Sequence, residues 1–199
     1  MPSLVSLSPD EAAAGREFTD PARSREDLAA LDRIRAALIR RVRSGLAGGT
    51  WTASGESHWL VAPGLRALAE PRPAFGVGFF GQTRDDVDHT PIIELEHQLL
   101  ARARDLQGLL AYYDVRFVTG QWGNLVLFAS EADAGRVRSH PTHVEALTLT
   151  ARHYRSIRLH RLHFRAGALG SQPPALESTL LIDFGETPPW RALRLGPRE

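Results

Sequence analysis

The chain has 199 residues, 24 of them basic and 23 acidic, with a formal net charge of +1 at pH 7 and no Cys. Every basic residue is Arg, so the Lys amine of Schiff-base enzymes and the phosphate-binding Lys of a P-loop are excluded; the missing Cys excludes thiol nucleophiles, thiolate zinc sites, iron–sulfur clusters and disulfides. At this length roughly 70% of the unfolded surface can be buried without a staple, and the near-neutral balance provides no field for nucleic acid or an anionic membrane as a main partner.

Residues 1–24 are rich in Ser, Pro, Ala and Asp without sustained periodicity and are expected to form a poorly ordered arm. Asp10, Glu11, Glu17 and Asp20 argue against a transit peptide, and no run approaches the ~18 apolar residues of a membrane span, so the expected location is the cytoplasm. From Arg25 to about Ser44, Leu28, Leu31, Ile34, Leu38 and Val42 recur at helical spacing, with Ser24 as N-cap and Gly45, Gly48 and Gly49 as the stop. Residues 50–62 read as two short strands around Ser54-Gly55-Glu56, with Trp51 and Trp59 as a packing pair. Pro71 ends this N-terminal part, giving an arm, helix and hairpin over 1–70, a main domain over 71–186 and an irregular Pro-containing tail over 187–199.

Within the main domain Ala74–Gly81 is a Gly-spaced apolar strand and Pro91 to about Leu106 a helix. Leu109–Val118 and Asn124–Ala129 form a hairpin, and a helix from Ser130, interrupted near Ser139-His140-Pro141, runs to about Tyr154. Ser156–Phe164 and Leu176 to Phe184 are further strands. The order strand, helix, strand, strand, helix, strand is the βαββαβ arrangement of an α+β, ferredoxin-like antiparallel sheet, here with an N-terminal helical extension. GVGFFG at Gly76–Gly81 matches a dinucleotide fingerprint only as a string, because no helix follows directly; its glycines suit close packing in a strand.

Strand alternation places Tyr113, Val115 and Phe117 on one side of the middle strand and Tyr112, Asp114 and Arg116 on the other. With the apolar side turned to the helices, the opposite face carries Tyr112, Asp114, Arg116, Arg158 and His160, a face for a second subunit to cover, enclosing a cavity between two sheets.

Asn124–Leu147 resembles the strand-then-helix segment of the dimeric α+β barrel superfamily, which includes antibiotic-biosynthesis monooxygenase-like proteins and haem-degrading relatives. Phe128, Ser130, Glu131 and Ala132, then Ser139, His140, Pro141 and His143, occupy the places of that pattern. The resemblance implies a homodimer and a small apolar or aromatic ligand in the barrel, and a cofactor-independent monooxygenase or related oxidative or isomerising enzyme if there is a reaction. In that reading Asp114 and His160 move protons, while Tyr112, Arg116, Trp122 and Arg158 shape the pocket, with His97 as a further cavity residue. Two alternatives stand beside it: haem binding or degradation with His143 or His140 as axial ligand, the resident cofactor otherwise being none, and a non-catalytic ligand-binding or interaction module. No metal-ligand motif reinforces the His pair. The Arg- and His-rich run ARHYRSIRLHRLHF is split by alternation between two faces and reads as structural Arg bridging acidic groups at a dimer interface, with nucleic acid disfavoured.

Overall fold

The computed structural model describes residues 4–46 and 48–197; the first three residues of the expected arm, Ala47 in the Gly45–Gly49 stretch and the last two of the tail lie outside the described residues. Nine strands form one sheet: β1 (Val5–Leu7), β2 (Gly48–Ala53), β3 (Glu56–Val61), β4 (Ala74–Thr83), β5 (Leu109–Arg116), β6 (Trp122–Phe128), β7 (Tyr154–Phe164), β8 (Ala175–Asp183) and β9 (Trp190–Leu195). The helices are α1 (Pro21–Arg43), the single turn α2 (Leu65–Leu68), α3 (Thr90–Ala101), α4 (Glu131–Arg138) and α5 (Pro141–His153). The sheet order is β1-β9-β8-β7-β4-β6-β5-β3-β2. Its centre, β7-β4-β6-β5, is antiparallel throughout and has α3 between β4 and β5 and α4 and α5 between β6 and β7. This is the ferredoxin-like α+β fold expected from the order of elements.

The local chemistry explains most boundaries. Helix α1 starts four residues before the sequence reading, capped by Asp20, whose carboxylate accepts from the Ala22 N–H, with Pro21 in the first turn; Ser24 is a buried helix residue and not the cap. Ser130 caps α4 by accepting from the Asp133 N–H, and Pro141, which cannot continue α4, opens α5.

Two segments expected to be irregular are structured. The tail supplies β9, antiparallel to β8, and the N-terminal arm supplies β1, parallel to β9. Buried Arg194 on β9 accounts for both, because its guanidinium donates to the carbonyls of Ser8, Glu11 and Thr19 and to the Ser24 hydroxyl. The hairpin β2–β3 joins the other edge of the sheet through β5. Trp51 and Trp59 do not pair: Trp51 stacks on His58 at 5.1 Å, whereas Trp59 turns to the other face and meets His97 at 4.9 Å.

The sidedness of the sheet reverses the sequence expectation. Across it Asp114 pairs with Asn124, Asn124 with Phe79 and Phe79 with Leu159, so these four share one face. Tyr113 aligns with Leu125, Gly78 and His160 on the other. Helices α3 and α5 cover the Asp114 face, which is largely apolar apart from β5 and Asn124 of β6, because β4, β6 and β7 contribute Val77, Phe79, Val126, Ile157 and Leu159. The Tyr113 face, reserved above for a partner's sheet, is covered by α1, whose Leu31, Ile34 and Leu38 pack with Leu60, Tyr113, Val115 and Leu125 in the main core. Gly78 makes room for this approach, since a Cβ there would lie 2.5 Å from Leu31.

A buried ion network fixes α1 in place. Arg158 Nη2 donates to Asp27 Oδ1 at 2.9 Å, and His160 Nε2–H donates to Asp27 Oδ2 at 2.9 Å while its Nδ1 accepts from the Thr179 hydroxyl at 2.9 Å. Asp27 is 4% exposed and His160 is fully buried. Removing one member of such a network strands the others uncompensated, so Asp27→Ala should lower the unfolding free energy by about 3–5 kcal/mol, read as a reduced urea midpoint; an unchanged midpoint would separate α1 docking from the ion pair.

Candidate functional site

The packing of α3 and α5 over the sheet is incomplete. A cavity of about 270 Å³ lies between them, walled by apolar residues such as Val77, Phe79, Ile92, Leu99, Val126 and Leu159. A wider cleft of about 540 Å³ lies between the β2–β3 hairpin and α3, lined by Trp59, His97 and Thr50 among others. The two share Ile93, Glu96, Asp114 and Trp122. Two carboxyl groups therefore stand where an apolar cavity meets an open cleft.

Asp114 is 7% exposed and lies beside Trp59 on β3 and Asn124 on β6 in the strand register. Glu96 comes from α3, one helical turn from both Ile92 and Leu100. The Tyr112 hydroxyl donates to Glu96 Oε1, and Asn124 Nδ2 donates to the Tyr112 oxygen at 3.0 Å. Asn124 Oδ1 is buried without a hydrogen-bond partner, and among the described residues no hydrogen bond or ion pair reaches the Asp114 carboxyl.

The electrostatics follow from this geometry. Burial, reinforced by the neighbouring Glu96, pushes the Asp114 carboxyl well above the usual carboxylate range. Burial also raises Glu96, opposed by the hydrogen bond from Tyr112 and the nearby His97. Tyr112 itself is raised by burial and then by the two acids.

At the far end of the cavity His89 Nε2–H donates to the Arg84 carbonyl at 2.9 Å, so its Nδ1 accepts from the Nδ1–H of His153 at 3.2 Å. His153 Nε2 is left as a buried acceptor without a partner. Burial and the adjacent His89 hold His153 below the ordinary imidazole range.

Tyr112, Asp114 and Trp122 line the cavity under α3 and α5, not a face turned to a second subunit, and His97 lines the adjoining cleft. Arg116 is exposed at the end of β5, 5.5 Å over the Trp122 ring, outside the cavity. Arg158 and His160 do not belong to this site. They project from the opposite face and are committed to Asp27, so His160 cannot form an acid/base pair with Asp114. Register is the cause: Leu159, not His160, is in line with Asp114.

Of the two haem-ligand candidates, His140 caps α5, its Nδ1 accepting from the Thr142 N–H at 3.3 Å, while His143 is on the cavity wall, lowered by burial. The cavity that His143 borders has a volume of about 270 Å³, just below the range of about 300–1,000 Å³ typical of drug-sized ligands. Among the described residues no group of three or more His, Asp or Glu side chains is placed to hold a metal ion. The Arg-rich run of β7 is spent on intramolecular carboxylates, with Arg155 on Asp85 and Arg161 on Glu131 and Glu177.

Glu96 and Asn124 were not singled out in the sequence. Glu96 had a signal, an acid inside the apolar stripe of α3; Asn124 had none, since its role depends on lying opposite Asp114.

No protein-family model matches the chain, and no curated protein does. Among solved structures, the chain is similar to a dimeric protein of unknown function and ferredoxin-like fold from Bacteroides fragilis, at 15% identity and a TM-score of 0.32, over 46% of this chain and 95% of that one. Among the described residues no helix is long and apolar enough to cross a membrane.

Because the folded state raises the Asp114 carboxyl above its unfolded value, its contribution favours folding at low pH and is lost as pH rises from the unfolded value through the folded one. Asp114→Asn should therefore raise the melting temperature at pH 8 relative to the parent, and the difference should vanish below about pH 4. A loss of stability at pH 8 would instead show that the carboxylate is held by favourable contacts.

Proposed function

We propose that the chain binds a compact, largely apolar or aromatic molecule between α3 and α5 and transfers a proton on it without a resident cofactor. The observation that carries this reading is the buried carboxyl pair, Asp114 and Glu96, facing an otherwise apolar cavity. Nothing about folding calls for two unneutralised acids there. Their mutual repulsion splits the roles: the ionised carboxylate takes a proton from carbon or oxygen of the ligand, and the protonated partner donates a hydrogen bond to the oxygen that becomes negative. Tyr112 and Asn124 hold the orientation of Glu96 from below, and the apolar walls exclude water from the charged intermediate.

The step common to isomerising enzymes and to cofactor-independent oxygenases is this deprotonation, and the site residues support it equally for both. The resemblance to the dimeric α+β barrels enters here with one change. The barrel-type face is covered by α1, so the proposed ligand site is read on the helical side of the chain's own sheet.

The reading is tested by deuterium wash-in. Phenylacetone incubated with the protein in heavy water should exchange its C–H next to the carbonyl in the wild type. Exchange should fall by about 10²-fold or more in Asp114→Asn, the scale of a general acid or base. Ala146→Phe, which fills the cavity from α5, should abolish both exchange and saturable binding of 2-phenylethanol, with the fold intact by circular dichroism. Exchange that survives both substitutions would move the chemistry elsewhere.

A further inference from the structure

Two acceptors at the junction of the cavity and the cleft are left without a partner. The Tyr112 hydrogen is spent on Glu96, and one Asn124 amide hydrogen is donated to the Tyr112 oxygen. What remains for a ligand is Asn124 Oδ1, buried and unpartnered, and the Asp114 carboxyl, which meets no hydrogen bond among the described residues. These two are cross-strand neighbours on the same face, so their side chains converge within about 5 Å at the Cβ level.

No Arg lines either cavity, although the chain has 24 basic residues, all Arg, and pairs them with acids elsewhere. The surroundings of the acid pair are aromatic: Trp59, Trp122, Tyr112, Phe79 and Tyr154 border the two cavities. Aromatic faces attract cations and tolerate apolar rings, but do nothing for an anion. A recess with two acidic side chains, an unpartnered buried acceptor and aromatic walls is complementary to a ring-bearing molecule with a protonated nitrogen.

We infer that the cavity ligand is a compact aromatic amine whose ammonium group seats between Asp114 and Asn124 Oδ1. The inference rests on the cavity-binding reading above and adds the charge of the ligand to it. Bound in this way, the ammonium supplies donors to the unpartnered acceptors and neutralises the carboxylate that the chain itself leaves without a counter-ion.

The test compares phenethylamine, 2-phenylethanol and phenylacetate, which share a ring and differ in charge, by calorimetric titration at pH 7.5. Phenethylamine is expected to bind at least about ten-fold tighter than the alcohol and phenylacetate not to saturate. In Asp114→Asn the amine should fall to the affinity of the alcohol while the alcohol keeps its own. That variant folds on the expectation given above, and Glu96→Gln provides a second neutralised pair if it does not. Equal affinity for amine and alcohol, or an amine preference that survives both substitutions, would overturn the inference and leave the cavity reading standing. No saturable binding of any of the three by the wild type would overturn both.

Discussion

The carboxylate of Asp27 is the constraint around which the chain is arranged. It projects from α1 onto the sheet and satisfies Arg158 and His160, two side chains that β7 buries on that face. Left alone, either would oppose folding, since a buried guanidinium without a partner costs several kcal/mol and an unpaired buried imidazole N–H costs about 1–3 kcal/mol. With Asp27 in place, α1 is held against the sheet and its Leu31, Ile34 and Leu38 complete the core. The consequence is topological. The face through which a ferredoxin-like sheet would meet a second sheet is covered by α1 of the same chain, and the cavity lies on the other side, under α3 and α5.

The second anchor works through main chain. Arg194 donates to three carbonyls of the N-terminal segment, so a stretch with no periodicity of its own becomes ordered and supplies β1 beside β9. Such contacts leave no local trace, and so the arm and the tail read as irregular. In β9 the alternation is present, with Ala192 and Arg194 buried and Arg191 and Leu195 exposed, but an Arg on the buried side hides it. The central βαββαβ order, by contrast, was legible. Its helices carry period-3.6 stripes and its strands dense β-branched and aromatic residues, which are local signals.

The site was legible in part for the same reason. Asp114 stood out because an acid between aromatics in a strand contradicts local propensity, and such contradictions mark functional positions. Its proposed partner His160 was misplaced because faces were matched by polarity. Sheet register decides such questions: a shift of one residue moves a side chain to the other face. The polar residues of β5 and β7 therefore belong to two separate sites, one structural and one facing the cavity. Glu96 and Asn124 became visible only once α3 and β6 were set against β5.

The two buried acid sites of this protein are treated in opposite ways, and the contrast bears on their roles. Asp27 receives a guanidinium and an imidazole N–H, so its charge is compensated on both oxygens. Asp114 and Glu96 receive one phenol hydroxyl between them and each disfavours the other's charge. Arg is abundant in the sequence, and Arg116 is close by, yet its guanidinium turns outward over Trp122 and not inward to Asp114. An acid pair that is costly to ionise and is left without a cation fits the proposed role, in which its charge is reserved for something that arrives from outside. That reservation is intelligible for a proton to be moved or a cation to be bound, and for neither purpose would a fixed Arg leave room.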